Sequence, residues 1–367
     1  MTNRVNFFAP LGGNIGYAAH GRGLARGMDE AGLDVRLFAS DWMNRPEISH
    51  PRLVEMLKKT DDADLSDPAV CLTIPRPEFA IQFGGRPRIL LTVYELSKIP
   101  NEWVPVLSAM DDIWTVSHWG KRIFEECGVK HDVKVVPEGV DTVLFSPEKR
   151  NDHAWSEVDD GFDSSFKFLF LGKWEKRKNV GMLMRAFQDE FKEGEDCRLI
   201  LACDNPFIKG FSAGVAAWEA GVRFDHRFIW FHNAMSDEYL ATLYANCDAF
   251  VMPTSGEGWC LPLMEAMASG LPCLSSTVGG QEEYLRDGLF YPIYHEGFEA
   301  ENDGIFFDGT VGEWAIISET SLRSQMRYVY DNQGEARKVG ARAAAEMREK
   351  WSWKNAGERA KEALSKW

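Results

Sequence analysis

Short apolar segments alternate with amphipathic helical segments along this chain of 367 residues. This alternation is typical of parallel sheets that are covered by helices. Five such segments precede residue 150 and five follow residue 165: RVNFFAP, DVRLFAS, RILLTVY, DIWTVS and VKVVPEGV, then FKFLFLG, CRLILACD, RFIWFHN, AFVMPT and PCLSST. The pattern therefore predicts an α/β protein with two doubly wound parallel-sheet domains.

The stretch NDHAWSEVDDGFDSS, residues 151–165, is rich in acids, Ser and Gly and separates the two sets of strands. We expect a first domain over residues 1–160 and a second over 161–350. In a pair of such domains the ligand is expected in the cleft faced by the carboxyl ends of both sheets.

Composition narrows the classes of protein. A formal net charge of −15 argues against nucleic acid, which needs a basic footprint. The apolar runs are too short to cross a membrane, and the amino end lacks the apolar core of a secretory signal. The seven cysteines form no CxxC pair and no Cys/His cluster. We therefore expect a cytoplasmic protein without a metal site.

The segment PTSGEGWCLPLMEAMASGLPCLSSTVGG, residues 253–280, places two carboxylates, Glu257 and Glu265, across a loop-to-helix junction. Pro262 suits a first helical position, so the helix is predicted to start near Leu261. Its free N–H groups suit a phosphate or diphosphate. Glu265, one turn inside, can accept hydrogen bonds from a diol such as a ribose. The alternative is that both carboxylates are ordinary solvated acids at a helix start.

A second segment, FKFLFLGKWEKRKNVGMLMRAF, residues 166–187, predicts a strand, a loop with several cations and a helix. Point charges in such a loop can neutralise a diphosphate leaving group without a metal. The alternative is a solvated basic turn.

These two segments resemble the retaining glycosyltransferases of family 4. EGWCLPLMEAMASGLPC is similar to that family's Glu-x7-Glu phrase, and GKWEKRKN to its GRLxxxKG loop, where Lys173 and Lys178 fall on the two basic positions. The resemblance covers nearly the whole chain and implies the glycosyltransferase B (GT-B) fold. Lys173 stands where Arg is more usual and Cys260 where Gly is common.

The resemblance implies a metal-independent enzyme, without a cofactor, that moves a hexose from a UDP- or GDP-linked donor to an acceptor hydroxyl with retention. Lys173 and Lys178 would stabilise the leaving diphosphate, and Glu257 would hold sugar hydroxyls or the developing charge at the ring. The acceptor would be a glycan, a lipid-linked molecule or another glycoconjugate. The expected donor-binding residues are Gly13, Asn14, Gly16, Phe231, His232, Asn233, Gly258, Trp259, Cys260, Leu261 and Glu265.

After the first strand, LGGNIGYAAHGRGLARGM forms a glycine-rich turn into a helix at about Tyr17. Its spacing departs from GxGxxG, which counts against a dehydrogenase. In the resembling family this loop borders the donor phosphate and the acceptor. A tight turn without a ligand is the alternative.

Residues 92–124 are similar to a branch of the family with a TxYE...IPxxWV...DxxWxxS phrase. Many members have a His near the transferred sugar where this chain has Tyr94 and Glu95. Glu95 could accept a hydrogen bond from a donor or acceptor hydroxyl, or be a structural acid that needs a partner. His118 is the only nearby histidine, and which of the three replaces the usual His stays open. In the EGVD phrase, Gly139 and Asp141 are expected to shape a loop, with Glu138 facing the ligand.

Two further sets of residues bear on possible partners, and one insertion has no assigned role. The final segment, residues 351–367, resembles the family's helix that crosses back to the first domain, with a membrane-surface helix as the alternative. Peripheral contact with anionic lipid or an anionic acceptor could involve Arg76, Arg86 and Arg88. Residues 204–228 form an insertion longer than usual, without a functional account.

Two other classes remain open from the sequence. An epimerase or phosphorylase of the same fold would act on a sugar nucleotide by other chemistry; an epimerase would need no acceptor. A non-catalytic binding protein would bind the donor without turnover, although such a protein would be expected to lack Glu257, Lys173 or Lys178.

Overall fold

The structure is a computed structural model that describes residues 3–13, 15–40, 48, 50–74, 76, 83–151, 164–231, 235–301 and 312–367. The chain divides into two compact units, Met1–Asp141 with Gly304–Gly312 and Lys350–Trp367, and Thr142–Asp303 with Glu313–Glu349. Of the predicted joining segment, residues 152–163 lie outside the described residues.

The first unit contains a six-stranded parallel sheet in the order β2-β1-β3-β4-β5-β6. The strands are β1 (Arg4–Ala9), β2 (Asp34–Ala39), β3 (Ala69–Leu72), β4 (Arg88–Thr92), β5 (Asp112–Thr115) and β6 (Lys134–Val135). The helices around them are α1 (Gly16–Glu30), α2 (Pro51–Lys58), α3 (Trp103–Ser108) and α4 (His118–Glu126).

The second unit contains another six-stranded parallel sheet, in the order β12-β11-β10-β7-β8-β9. The strands are β7 (Phe166–Leu171), β8 (Cys197–Ala202), β9 (Phe228–Phe231), β10 (Ala249–Met252), β11 (Cys273–Ser276) and β12 (Tyr291–Ile293). The helices are α5 (Val180–Glu190), α6 (Ala213–Glu219), α7 (Asp237–Ala245), α8 (Leu261–Ala268), α9 (Glu319–Asp331) and α10 (Gln333–Lys350). A separate two-stranded sheet pairs β13 (His295–Glu301) with β14 (Gly312–Ile317).

The ten strands predicted from the sequence are all present, but the two six-stranded sheets also contain β3 and β12. Strand β3 lies between β1 and β4 at the centre of its sheet, and all four of its residues are buried. It has neither the length nor the alternation that makes a strand recognisable in a sequence. Its place follows from pairing with both neighbours.

The last helix, α11 (Trp353–Leu364), packs against α1 within the first unit through glycines on both helices. A Cβ atom at Gly27 would lie 1.9 Å from the carbonyl oxygen of Trp353, and one at Gly357 would lie 2.0 Å from that of Gly27. The two backbones therefore approach more closely than any larger side chain permits.

In each sheet the strand order reverses direction at one point, which is where ligands bind in open α/β sheets. In the second unit the reversal lies between β7 and β10. The loops that follow these two strands carry the residues singled out in the sequence, Lys173, Lys178 and Glu257.

Candidate active site

Glu257 lies at the centre of the loop between β10 and α8, and only 4% of its surface is exposed. Its Oε1 atom accepts hydrogen bonds from Lys178 Nζ at 2.6 Å, from Thr254 Oγ1 at 3.1 Å, and from Arg177 Nη1. Arg177 and Lys178 are also buried. Glu257 is therefore a charge held inside the protein by two cations, and the alternative of a solvated helix-start acid is wrong for it.

The pKa of the Glu257 carboxyl reflects two opposing effects. Burial alone would raise this pKa, but the charges of Arg177 and Lys178 outweigh burial and lower it to about 2. Hydrogen bonds from Lys178 and Thr254 act in the same direction. Glu257 is therefore ionised at neutral pH.

Arg177 was not identified from the sequence, where it is one of three consecutive basic residues, Lys176 to Lys178. These residues form a 3-10 turn that exposes Lys176 and buries the other two. Arg177 Nη2 lies 2.8 Å from Glu175 Oε2, while Nη1 also donates to the carbonyl of Gly256 at 3.2 Å. It thus connects the loop after β7 to the loop after β10.

Lys173 occupies a different position from Lys178. It is half-buried, pairs with Glu175 and lies 4.9 Å from the centre of the Phe207 ring. The lysine, arginine and carboxylate side chains of this cluster, Lys173, Glu175, Arg177, Lys178 and Glu257, comprise three cations and two anions. One net positive charge therefore remains for an anionic ligand.

Helix α8 starts at Leu261 with Pro262 in its first turn, as predicted. The residue before it, Cys260, is buried with a left-handed backbone, φ 74°, a conformation that favours glycine. The hydroxyl of Tyr284 donates to the carbonyls of Trp259 and Cys260 at 2.9 and 3.1 Å. The N–H groups of Cys260 and Leu261 have no hydrogen-bond partner among the described residues. Free N–H groups at the start of a helix can bind an anion.

Glu265 is half-buried on α8 and accepts a hydrogen bond from the Tyr244 hydroxyl at 3.1 Å. Burial and the adjacent Glu265 charge raise the pKa of Tyr244 well above its ordinary value. Tyr244 thus remains a neutral donor that fixes one oxygen of Glu265.

Two glycines after β11 were also missed from the sequence, although Gly279 and Gly280 stand in the segment quoted above. A Cβ atom at Gly279 would lie 2.2 Å from the carbonyl oxygen of Glu257, and one at Gly280 would lie 1.7 Å from that of Gly258. Gly280 N–H donates to the Glu257 carbonyl at 2.7 Å. This turn therefore fixes the position of the backbone at Glu257 and Gly258.

The first unit contains a polar cluster near the carboxyl ends of its strands. His20 Nδ1 lies 3.0 Å from Glu138 Oε1, and both side chains are buried. The His20 ring stacks on Trp353. Burial raises the pKa of Tyr17 to about 12, and Glu95 and Glu138 add to this effect because they are close to its hydroxyl. His20 and Tyr17 were missed, since nothing in their local sequence marks them.

Other predicted site residues have less defined surroundings. Gly13 is exposed with φ 75°, and its carbonyl accepts from Arg22 at 3.0 Å. Gly16 begins α1, one residue before the predicted start. Phe231 ends β9, half-buried. Asn14, His232 and Asn233 lie outside the described residues.

Of the three candidates to replace the family's His, Tyr94 is buried with its ring against Trp103. His118 is exposed at the first position of α4. Glu95 is half-buried near Tyr17. These surroundings favour Glu95 as the residue that takes the place of the family's His, and its role stays a prediction.

Among the predicted basic patch residues, Arg88 stacks on Phe83 at 5.0 Å. Arg86 is exposed and Arg76 is half-buried, and the patch stays a prediction. Within the described part of the chain, no helix is both long and apolar enough to cross a membrane. The described residues also contain no cluster of three or more His, Cys, Asp or Glu side chains placed to hold a metal ion.

Residues 165–309 match the family model described as glycosyl transferases group 1. This match covers well under half of the chain and lies almost entirely in the second unit. The chain is 28% identical over 133 residues to the serotype-specific mannosyltransferase WbdA of Escherichia coli, a match that covers 34% of this chain and 15% of that protein. It is 25% identical over 219 residues to the sulfoquinovosyl transferase SQD2 of Arabidopsis thaliana, covering 60% of this chain and 37% of that protein. The chain thus spans well under half the length of these relatives.

Solved structures resemble this chain over nearly its whole length. Sucrose-phosphate synthase from Thermosynechococcus elongatus superposes with a TM-score of 0.71 at 15% identity, over 99% of this chain and 98% of that one. The Anabaena HepE protein in complex with UDP-glucose gives 0.70 at 14% identity, over 99% and 100%. WaaG, a glycosyltransferase involved in lipopolysaccharide biosynthesis, gives 0.67 at 14% identity, over 98% and 99%. The predicted GT-B fold is confirmed.

Proposed function

We propose that this protein is a retaining, metal-independent glycosyltransferase that moves a hexose from a UDP- or GDP-linked donor to an acceptor hydroxyl. The observation that carries the proposal is the buried Glu257 carboxylate. It is held by Arg177 and Lys178 beside N–H groups at the start of α8 that donate to no described residue. The match of residues 165–309 to the model of group 1 glycosyl transferases supports the same reaction class.

The donor would bind at the strand-order reversal between β7 and β10. Its diphosphate would accept hydrogen bonds from the N–H groups of Cys260 and Leu261, with the Lys173 and Lys178 ammonium groups beside it. Glu265, already fixed by Tyr244, would accept from the ribose hydroxyls. Glu257 would accept from a hydroxyl of the hexose.

In the reaction, the bond from the anomeric carbon to the β-phosphate oxygen breaks, and the acceptor oxygen forms its bond to the same carbon. The acceptor proton passes to the leaving phosphate, and a nucleoside diphosphate is released. Lys178 and Lys173 would stabilise the negative charge that develops on the leaving group. Cations placed in advance do this without a metal ion.

The acceptor would be a glycan or another glycoconjugate. WbdA is named a serotype-specific mannosyltransferase, and WaaG is named a glycosyltransferase involved in lipopolysaccharide biosynthesis. These names support a hydroxyl of a glycan or glycolipid as the acceptor class. In the first unit, Glu95 is the candidate to accept a hydrogen bond from a donor or acceptor hydroxyl.

The test is a thermal-shift screen in EDTA against UDP, GDP and ADP and their hexose conjugates, followed by measurement of slow nucleoside diphosphate release. We expect one base to stabilise the protein and its sugar nucleotide to be hydrolysed. Lys178→Met should reduce that release by about a hundredfold, as for loss of one preorganised donor. Lys167→Met is the matched control, because Lys167 is equally buried but lies at the start of β7, where it donates to Ser165.

Stabilisation by no nucleotide would contradict the proposal. Equal loss of release in both lysine variants would also contradict it, since Lys178 would then act through stability alone. Hydrolysis that disappears in EDTA and returns with Mg²⁺ would contradict metal independence.

A further inference from the structure

The two oxygens of the Glu257 carboxylate have unequal surroundings. Oε1 receives every hydrogen bond that this side chain accepts from a described residue, from Arg177, Lys178 and Thr254. Oε2 accepts none from a described residue, and it is not among the buried side-chain atoms left without a partner. Oε2 therefore reaches the solvent while Oε1 is enclosed.

Arg177 is the donor that is most firmly held. Its Nη1 atom contacts Glu257 Oε1 and the Gly256 carbonyl, and its Nη2 atom contacts Glu175. Its own carbonyl accepts from Ser255 N–H at 2.6 Å and from Thr254 Oγ1 at 3.3 Å. Both ends of the residue are thus tied to the Glu257 loop.

The planar guanidinium fork allows this double attachment. A lysine carries the same charge on a single nitrogen and cannot bridge Glu175 and Glu257 in the same way. Because the fork is fixed at Glu175, its position determines where Oε1 of Glu257 lies. The direction in which Oε2 points follows from that.

We propose that Arg177 is a positioning residue, which holds Oε1 of Glu257 so that Oε2 accepts a hydrogen bond from a hydroxyl of the donor sugar. This inference rests on the proposed function. Arg177 itself touches neither sugar nor phosphate. Its contribution is to the sugar part of the donor, while the nucleotide is bound by other groups.

Arg177 also keeps Glu257 charged. The groups that face Glu257 are Arg177 and Lys178 on one loop and Cys260 at the helix start, with Glu175 behind Arg177. Burial raises the pKa of the Cys260 thiol to about 12, so the thiol stays neutral. Without Arg177, only Lys178 and the hydrogen bonds would oppose the effect of burial, so the pKa of Glu257 would rise.

The experiment compares wild type, Arg177→Met and Arg177→Lys as full-length chains. The donor found in the nucleotide screen and its bare nucleoside diphosphate are titrated separately, and kcat/KM for donor turnover is measured from pH 5 to 9. In Arg177→Met we expect donor affinity to fall about tenfold to a hundredfold, as for a lost charge-assisted hydrogen bond. Affinity for the bare diphosphate should stay within about threefold of wild type. Because the wild-type pKa of Glu257 is about 2, its acid limb lies below this pH range. In Arg177→Met the limb should enter the range, with part of both effects restored in Arg177→Lys.

Arg227→Met is the matched control. Arg227 is also a buried arginine of the second unit with a bound carboxylate, Asp225. It lies at the amino end of the edge strand β9, whereas the candidate site lies after the carboxyl ends of β7 and β10. This variant should lose stability and keep the wild-type ratio of donor to diphosphate affinity and the wild-type pH profile. Thr254→Val is a second, uncharged test, since it removes another donor to Oε1. It should weaken donor binding and not diphosphate binding, and it should move the acid limb less than Arg177→Met does, because the Thr254 hydrogen bond carries no charge.

The outcomes separate two failures. If wild type binds no nucleotide, the proposed function is wrong and this inference falls with it. If wild type is active but Arg177→Met loses donor and diphosphate affinity equally, or keeps the wild-type pH profile, the inference alone is overturned. If Arg177→Met does not fold, the same comparison in Arg177→Lys and Thr254→Val decides.

Discussion

Glu257 is a buried carboxylate whose charge is matched by two buried cations, Arg177 and Lys178. Replacing one partner of such a group leaves charge uncompensated in the interior. We therefore predict that Glu257→Gln, which keeps the shape of the side chain, lowers the free energy of unfolding by about 3–5 kcal/mol. Urea denaturation measures this. Glu265→Gln is the control. Because Glu265 is only half-buried, this substitution should lower the free energy of unfolding by about 1 kcal/mol.

The same carboxylate predicts a pH dependence of stability. The pKa of Glu257 is lowered from 4.5 to about 2 in the folded protein, so its stabilising effect is complete above the unfolded value of 4.5 and is lost as the pH falls toward 2. The difference in unfolding free energy between wild type and Glu257→Gln should be constant from pH 6 to pH 5. Below pH 4.5 it should narrow. A difference that stays constant down to pH 3 would show that Glu257 has an ordinary pKa.

At this scale the sequence indicated Glu257 and Glu265 as candidates, because a loop-to-helix junction with flanking glycines is recognisable in it. Lys178 became a candidate through the resemblance of its basic loop to that of a known family. It did not identify Arg177. Three consecutive basic residues in a turn do not indicate which of them is buried, since that depends on the direction of the turn relative to the β10 loop. His20 was missed for the same reason, because its partner Glu138 is 118 positions away.

The turn Gly279–Gly280 is an element whose effect on the site can be tested. In Gly279→Ala, the alanine would have to adopt a φ of 106°, and its Cβ atom would lie 2.2 Å from the Glu257 carbonyl oxygen. We predict a loss of about 3 kcal/mol or more in unfolding free energy, together with loss of nucleotide-induced stabilisation. Gly288→Ala has the same kind of backbone, φ 80°, but open space around its Cβ. Gly288→Ala should lower the free energy of unfolding by only about 1 kcal/mol. If thermal unfolding shows the same loss of stability in both variants, the close contact at Gly279 is contradicted.

Helix α10 offers a pair of glycines for a second comparison. A Cβ atom at Gly340 would lie 2.1 Å from the carbonyl oxygen of Gly270, which follows α8, whereas a Cβ atom at Gly334 has no neighbour within 4 Å. Gly340→Ala should destabilise by about 1–3 kcal/mol because the backbones must separate. Gly334→Ala should be neutral or stabilise by up to about 1 kcal/mol. Chemical denaturation of both variants is the measurement, and a Gly340→Ala variant as stable as Gly334→Ala would be inconsistent with this packing.

At the scale of elements, the predictions from hydrophobic pattern were right where a strand is long and apolar, as in β7 and β8. The start of α8 was predicted near Leu261, where the helix begins, because Pro262 limits where a helix can begin. Strands β3 and β12 were missed because they have four and three residues. Such short segments become strands through pairing with neighbours that are distant in the sequence, which local pattern does not contain.

At the scale of the whole molecule, two parallel sheets with a reversal of strand order in each account for where the candidate residues lie. The alternation of strands and helices predicted this architecture. The order of the strands came from the structure, and it explains why residues from the β7 and β10 loops, about 80 positions apart, share one site. Sequence spacing alone could not bring Lys178 and Glu257 together.

The most direct test of the central claim is calorimetric titration, in EDTA, of UDP-glucose, GDP-mannose, UDP and GDP into wild type and Glu257→Asp. The aspartate keeps the charge near Arg177 and Lys178 but shortens the reach of the carboxylate. We predict that wild type binds at least one of the sugar nucleotides and its diphosphate, and that Glu257→Asp weakens only the sugar nucleotide, by about tenfold. Absence of binding of all four ligands to the folded wild type would contradict the account.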